Sequence, residues 1–359
     1  MNKLTKIEEF FNNVNLTADD ELFVGIDVHK RSYHVALYLN DAPAVDFVMP
    51  AKKEILSQKL ITTTSALKQI AYETGPSGYS LARYLHQNSL PVVVAATSRI
   101  PRPSGGDDKT DKLDSRKLAQ YAAKGLLKPV AVPTLKQEAD RQLYRMRHRQ
   151  RRNLAKVKTQ IKSFLMMHDI AEPNGLTTWS KNSIEQLRTL RLRKTLRLSL
   201  DELIGDLDYY SLRVKTLDRL LAEHLNKALL GRRMALLKTH PGVGTVVSCQ
   251  FATELFHYRD FNSTREVFKY LGLSPKIHQS GERSVSGSIN KAANSRLRSN
   301  LIQAAWRWIA VDIEAKKTYL RLLNNCGGIK QKAITAMARK LSGHLWTMLI
   351  KGQPYDPTK

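Results

Sequence analysis

Three short apolar segments follow one another between Glu21 and Met49, and they limit the fold more than any other feature of the chain. ELFVGIDV carries an acid near its end, SYHVALYL alternates apolar and polar residues as a half-buried strand does, and AVDFVM is a third short run. A helical stretch up to Ile70 follows, then a short strand at AYE, a helix over Tyr79–Gln87, the β-branched run PVVVAA and a helix starting near Asp111. Three strands and then an alternation of helices and strands predict an α/β domain over residues 1–135, with one mixed edge to its sheet.

From 136 to 230 the texture changes. This region is rich in Leu, Arg and Lys, nearly free of Gly, and includes the basic runs LYRMRHRQRRNLAKVKTQIKSFL and LRTLRLRKTLRL. LSLDELIGDLDYYSLRVKTLDRLLAEHLNKALL then spaces apolar residues in heptad-like fashion, which fits a long helical hairpin or coiled coil and equally a plain bundle. Its leucine-rich part, Leu200 to Leu230, offers a stripe for self-association, so a homodimer or homotetramer is expected.

A boundary is set near Gly231, and residues 231–359 are expected to be mostly helical. That part opens with Pro241-Gly-Val-Gly244. We expect a tight turn between two helices there, with Gly242 and Gly244 freeing backbone N–H groups to face a phosphate. Farther on, HQSGERSVSGSINKAANSRLRSN mixes Gly, Ser and basic residues before a helix begins.

The formal net charge is +26. Such an excess repels itself in the compact state, and a polyanion relieves it. Nucleic acid is the expected partner, because each neutralised phosphate releases counterions. A membrane is not, since no long uncharged apolar run is present. Arg141, Arg145, Arg147, Arg149, Arg151, Arg152, Lys156 and Lys158 are the candidates to grip a phosphate backbone, of duplex DNA or of RNA, with Lys30, Lys291 and Arg296 added elsewhere. Cys249 and Cys326 stand alone, which argues against a zinc site and suits a reducing cytoplasm.

Four carboxylates occupy informative positions. Asp27 and Glu73 end strands, while Asp111 and Asp114 are spaced i, i+3 and share one helical face. Acids at strand ends and at a helix start converge on the carboxyl edge of a sheet. They repel one another unless a cation intervenes, and oxygen-only ligands select Mg²⁺ or Mn²⁺. Two such ions about 4 Å apart serve phosphodiester chemistry.

GIDVHK, ETGPSGY, KTDKLDSRKLA and the later SG…NK…LR…QAA pattern resemble the DEDD transposases of insertion sequences (the IS-one-ten family) and the related Piv-type DNA invertases, from about Glu21 to Trp306. The resemblance implies a RuvC-like, RNase H-type N-terminal domain whose metal-binding tetrad is Asp27, Glu73, Asp111 and Asp114. Ser115 stands where that pattern usually has Ala. The resemblance also implies an essential C-terminal serine that attacks a DNA phosphate, mapping to Ser280, with Ser286 in a second Ser-Gly pair as the alternative. It implies a structured noncoding guide RNA and a bacterial, nucleoid-associated setting. The expected function is therefore cleavage and rejoining of DNA strands. A RuvC-type nuclease using metal-activated water is the alternative, and it has no need of the serine domain.

Overall fold

The computed structural model describes residues 16–97, 100, 111–225, 228–280, 283–289 and 293–357. The chain divides into two compact units, Met1–Thr134 and Leu135–Lys359.

The first unit is built on a five-stranded sheet of β1 (Leu22–Val28), β2 (Ser32–Leu39), β3 (Ala42–Pro50), β4 (Leu67–Glu73) and β5 (Val92–Ala95). Helices α1 (Lys53–Ile61), α2 (Ser80–Gln87) and α3 (Asp111–Ala123) complete it. The strand order is β3-β2-β1-β4-β5. The first three strands form an antiparallel meander, and β4 and β5 are added in parallel. This mixed sheet fits the RNase H-type expectation.

The period of two in each strand sorts the side chains onto two faces. Leu22, Val24, Ile26, Val35, Leu37, Ile70 and Tyr72 make one face, buried in a core with Leu56 and Leu60 of α1 and Leu81 and Leu85 of α2. The opposite face carries Phe23, Ala36 and Tyr38, packed against Ala119 and Ala123 of α3. β4 starts at Leu67, where the sequence suggests a helix running on to Ile70. LKQI is too short for its period to be decisive, and pairing with β1 settles it as strand.

The second unit is mostly helical. α4 (Leu135–Met167) and α6 (Lys194–Leu225) form a long hairpin bridged by α5 (Lys181–Thr189). With 33 residues, α4 extends roughly 50 Å. Leu154, Val157, Ile161 and Leu165 of α4 pack with Leu200, Ile204, Leu207 and Val214 of α6.

Beyond them come α7 (Ala228–Leu237), α8 (Thr245–Glu254), α9 (Thr264–Leu271), the hairpin β6 (Pro275–Ser280) and β7 (Arg283–Ile289), α10 (Ser295–Val311), α11 (Ile313–Asn325) and α12 (Lys330–Lys351). The region from 136 to 230 contributes to two cores, its middle to the hairpin cluster and its ends to the C-terminal one. Tyr144 of α4 and Leu221 of α6 lie in the same cluster as Phe251, Leu301, Trp308 and Leu341, so the base of the long hairpin is built into the C-terminal core. The β6–β7 hairpin has no strand signal in its polar Gly/Ser composition. Among the described residues, no helix is long and apolar enough to cross a membrane.

Candidate functional site

The sheet register assembles the acidic edge. β1 and β4 run parallel, and their ladder closes with Ile26 opposite Tyr72. Asp27 and Glu73 are therefore the next residue on each of two neighbouring strands, at the same carboxyl edge. By the strand period, Asp27, Gly25 and Phe23 belong to the α3 face, as do Ala71 and Glu73 on β4.

Gly25 fixes how α3 crosses that face. A Cβ at Gly25 would lie 2.0 Å from the Ser115 carbonyl oxygen and 2.4 Å from the Ala119 nitrogen, so only glycine lets the helix backbone rest on the strand. Ser115 is buried at this contact. Asp114 is its neighbour in the chain, and Asp111 begins the helix one turn earlier. The swap of Ala for Ser at 115 thus falls at the close approach, where the backbone carbonyl of this residue meets the strand.

Neighbouring groups complete the edge. His29 Nε2 lies 3.0 Å from Asp27 Oδ2. His34 pairs with Asp27 across β1 and β2, and its ring meets that of His29 edge to face at 5.4 Å. Asp46, on the same face, is held by Arg116 Nε of α3 at 2.9 Å. The ETGPSGY loop folds back on this edge. Ser77 Oγ donates to the Val28 carbonyl at 3.2 Å, and the Tyr72 hydroxyl donates to the carbonyl of Gly78, whose φ of 66° suits glycine. Lys30 is exposed just past β1. Among the described residues, no group of three or more His, Cys, Asp and Glu is gathered closely enough to hold a metal. Asp27, Glu73 and Asp114 are among those described residues, and the Asp111 side chain lies outside them.

The basic residues of α4 separate into two kinds. Arg145 clasps the buried carboxylate of Glu254 on α8 with Nε and Nη2, each at 3.0 Å, and Arg141 Nη2 joins them at 3.3 Å. Burial alone would raise the Glu254 pKa. The hydrogen bond and charge of Arg145, then the charges of Arg141 and Arg296, hold it below the usual carboxylate range. Arg147 Nη2 reaches Asp218 of α6 at 3.3 Å. Lys158 sits over the Trp179 ring at 5.0 Å. These four carry internal ties. Arg149, Arg151, Arg152 and Lys156 are exposed.

The two turn glycines also differ. A Cβ at Gly242 would lie 2.6 Å from the Trp308 Cβ and 2.7 Å from the Ala304 carbonyl, so this glycine answers a tight approach of α10. Gly244 is exposed at the uncapped start of α8 with open space around it. Ser280 is the last residue of β6, opposite Arg283, and Ser286 pairs with Ile277, so the two serines have opposite parity along the hairpin. Their side chains lie outside the described residues, as does Lys291 altogether; Arg296 is exposed in the first turn of α10.

Gly25, His34, Asp46 and Glu254 are not singled out by any motif or spacing in the sequence. A glycine inside an otherwise apolar strand was the available signal for the first. The others draw their meaning from partners distant in sequence.

Two family models match the chain. The DEDD transposase model of the IS110 group takes in residues 24–168, and the model described as the transposase IS116/IS110/IS902 family takes in residues 234–320. Similar proteins include y4qE of Sinorhizobium fredii, which bears a transposase name, at 28% identity over 91% of this chain and 88% of that one. The transposase for insertion sequence element IS1328 of Yersinia enterocolitica is 25% identical, covering 79% of this chain and 82% of the relative. The pilin gene-inverting protein of Moraxella bovis is also 25% identical, over 82% and 83%.

Proposed function

Because the chain belongs to the DEDD transposases of the IS116/IS110/IS902 group, and so is a DNA transposase, we propose that it cuts and rejoins the DNA strands of an insertion sequence with an acidic divalent-cation site and a serine nucleophile. The observation that carries this reading is the register that makes Asp27 and Glu73 neighbours at one sheet edge, with Asp114 next to the Ser115–Gly25 contact. Clustered carboxylates repel one another, which is the donor chemistry that Mg²⁺ or Mn²⁺ suits.

In this reading Asp27, Glu73, Asp111 and Asp114 would hold the cation, and His29, with Nε2 at 3.0 Å from Oδ2, would orient the Asp27 carboxylate. A bound divalent cation supplies charge stabilisation at the phosphate under attack. The serine of the β6–β7 hairpin, Ser280 with Ser286 as the alternative, forms an Oγ–phosphorus bond as one strand's phosphorus–oxygen bond breaks. The serine proton is lost and the departing strand oxygen gains one. The phosphodiester is exchanged and not hydrolysed, so the reverse step rejoins strands without an added energy source.

The exposed cations of α4 are assigned to nucleic-acid phosphates, those of DNA and of a structured guide RNA. Exchange of four strands calls for more than one active centre, hence a dimer or tetramer.

The test is a reaction on labelled suicide DNA, denatured, digested and mapped by mass spectrometry. A covalent link at Ser280, absent in Ser280→Ala and in Asp27→Asn protein that still folds, is the expected result. A link at Ser286 moves the nucleophile to that residue. Hydrolysed ends with no serine link replace this reading with a metal-dependent nuclease.

A further inference from the structure

The contact between α4 and α10 carries an excess of positive charge. Asn300 Nδ2 of α10 donates to the Tyr144 hydroxyl of α4 at 2.8 Å and to Gln250 Oε1 of α8 at 2.7 Å, which locks the two helices together at that point. Four residues along α4 from Tyr144 is His148, and four more is Arg152. Four residues back along α10 from Asn300 is Arg296. The i, i+4 spacing puts each on the stripe that contains the contact. The half-buried His148 senses these cations. Its pKa is lowered by burial first, then by the charges of Arg296, Arg152 and Arg147, with only Glu254 opposing them.

That opposition is already committed, since Glu254 is clasped by Arg145 and Arg141. Among the described residues no acid forms an ion pair with Arg152 or Arg296. The backbone adds to the excess. The first turn of α10 has no acidic residue, so Arg296 stands at the positive end of a 17-residue helix where a cation is unfavourable. Both arginines are exposed. Two exposed guanidiniums and a helix N-terminus thus act together on the half-buried imidazole, and among the described residues Glu254, already clasped by Arg145 and Arg141, is the acid that opposes them there.

We infer that His148 and Arg152 of α4 and Arg296 at the start of α10 form a notch for a single backbone phosphate of duplex DNA, close in sequence to the serine hairpin. DNA is preferred because the notch adjoins in sequence the segment assigned to DNA cleavage. The inference rests on the reading under Proposed function and deepens it. A phosphate here supplies the missing negative charge, and His148 gains a reason to take up a proton.

Two measurements on the full chain test it, both without divalent cation, so that strand cleavage plays no part. The first is the slope of log affinity against log salt for a short duplex DNA. The Arg152→Gln/Arg296→Gln double variant should flatten that slope by about 0.9, the amount expected when one phosphate is no longer neutralised. Arg321→Gln, an exposed arginine of α11 outside the notch, should leave the slope unchanged. The second is the His148 titration followed by NMR, with Arg147 and Arg152 of α4, Arg296 of α10 and Glu254 of α8 as the charges facing it. Duplex binding should raise its midpoint in the parent protein and not in the double variant. An unchanged slope, or a His148 midpoint indifferent to DNA, overturns the notch while leaving the strand-transfer reading intact. A slope that flattens only with a hairpin RNA overturns the assignment to DNA. If serine-linked DNA is never found but the slope falls, the notch stands and the proposed chemistry fails.

Discussion

Replacing Gly25 by alanine is the most direct test of how the acidic edge is assembled. The added methyl would sit 2.0 Å from the Ser115 carbonyl oxygen and 2.4 Å from the Ala119 nitrogen, and both are backbone atoms that cannot rotate away. Restoring an ordinary contact requires α3 to withdraw from β1 by about 1.4 Å, or the strand to buckle by as much. Ser115, Leu118 and Ala119, each 1% exposed, would lose close packing. Overpacking of this kind costs about 1–3 kcal/mol, a fall in melting temperature on the order of 4 °C per kcal/mol for a unit of this size.

In the proposed reading the same shift would move Asp111 and Asp114 relative to Asp27 and Glu73, and a misplacement of about 1 Å at a reacting centre costs on the order of 100-fold in rate. Thermal unfolding by circular dichroism and single-turnover strand cleavage read the two effects. Gly205→Ala in α6, where nothing lies within 4 Å of the new methyl, is the control. It should raise stability by roughly 0.5–1 kcal/mol and leave cleavage unchanged. A Gly25→Ala protein with parental melting and parental cleavage would refute the argument.

Glu254→Gln should destabilise the second unit by about 3 kcal/mol, because Arg141 and Arg145 lose their buried counter-charge, as denaturant unfolding would show. The Glu254 pKa is lowered in the folded protein, so its stabilisation is present above the usual carboxylate range and is lost as pH falls through the folded value. The variant should flatten that acid arm, and an identical pH profile would count against it. Gly242→Ala should cost about 1–3 kcal/mol through the clash with Trp308 and Ala304 while the folded protein keeps its DNA affinity; weaker binding at unchanged stability would restore a phosphate-facing role. Neutralising Arg149, Arg151 and Lys156 together should weaken the salt dependence of DNA binding with little effect on melting, whereas neutralising Arg141, Arg145 and Arg147 should do the reverse.

Whatever depends on short-range period and chemistry was legible in the chain before it folds. The alternation in SYHVALYL placed β2, the acids in GIDV and AYE marked strand ends, the i, i+3 pair in KTDKLD marked one face of a helix, and the apolar spacing after Trp179 marked long helices, whether in a hairpin, a coiled coil or a bundle. Net charge identified a polyanionic partner, since it is a sum over the chain and needs no geometry. The remaining features depend on residues far apart in the chain, and folding alone brings those together. Arg145 and Glu254 are 109 positions apart, so a run that reads as uniformly basic divides into buried ties and exposed cations only once α4 is laid on α8. LKQI becomes strand because β1 offers it a ladder, and the polar Gly/Ser segment becomes a hairpin because β6 and β7 satisfy each other's backbone groups, which no hydrophobic period announces. Gly25 shows both halves of the matter. Its place in a strand was legible as an oddity, but the helix it admits, with Asp114 on the residue before the contact, exists only in the folded packing of α3 on the sheet.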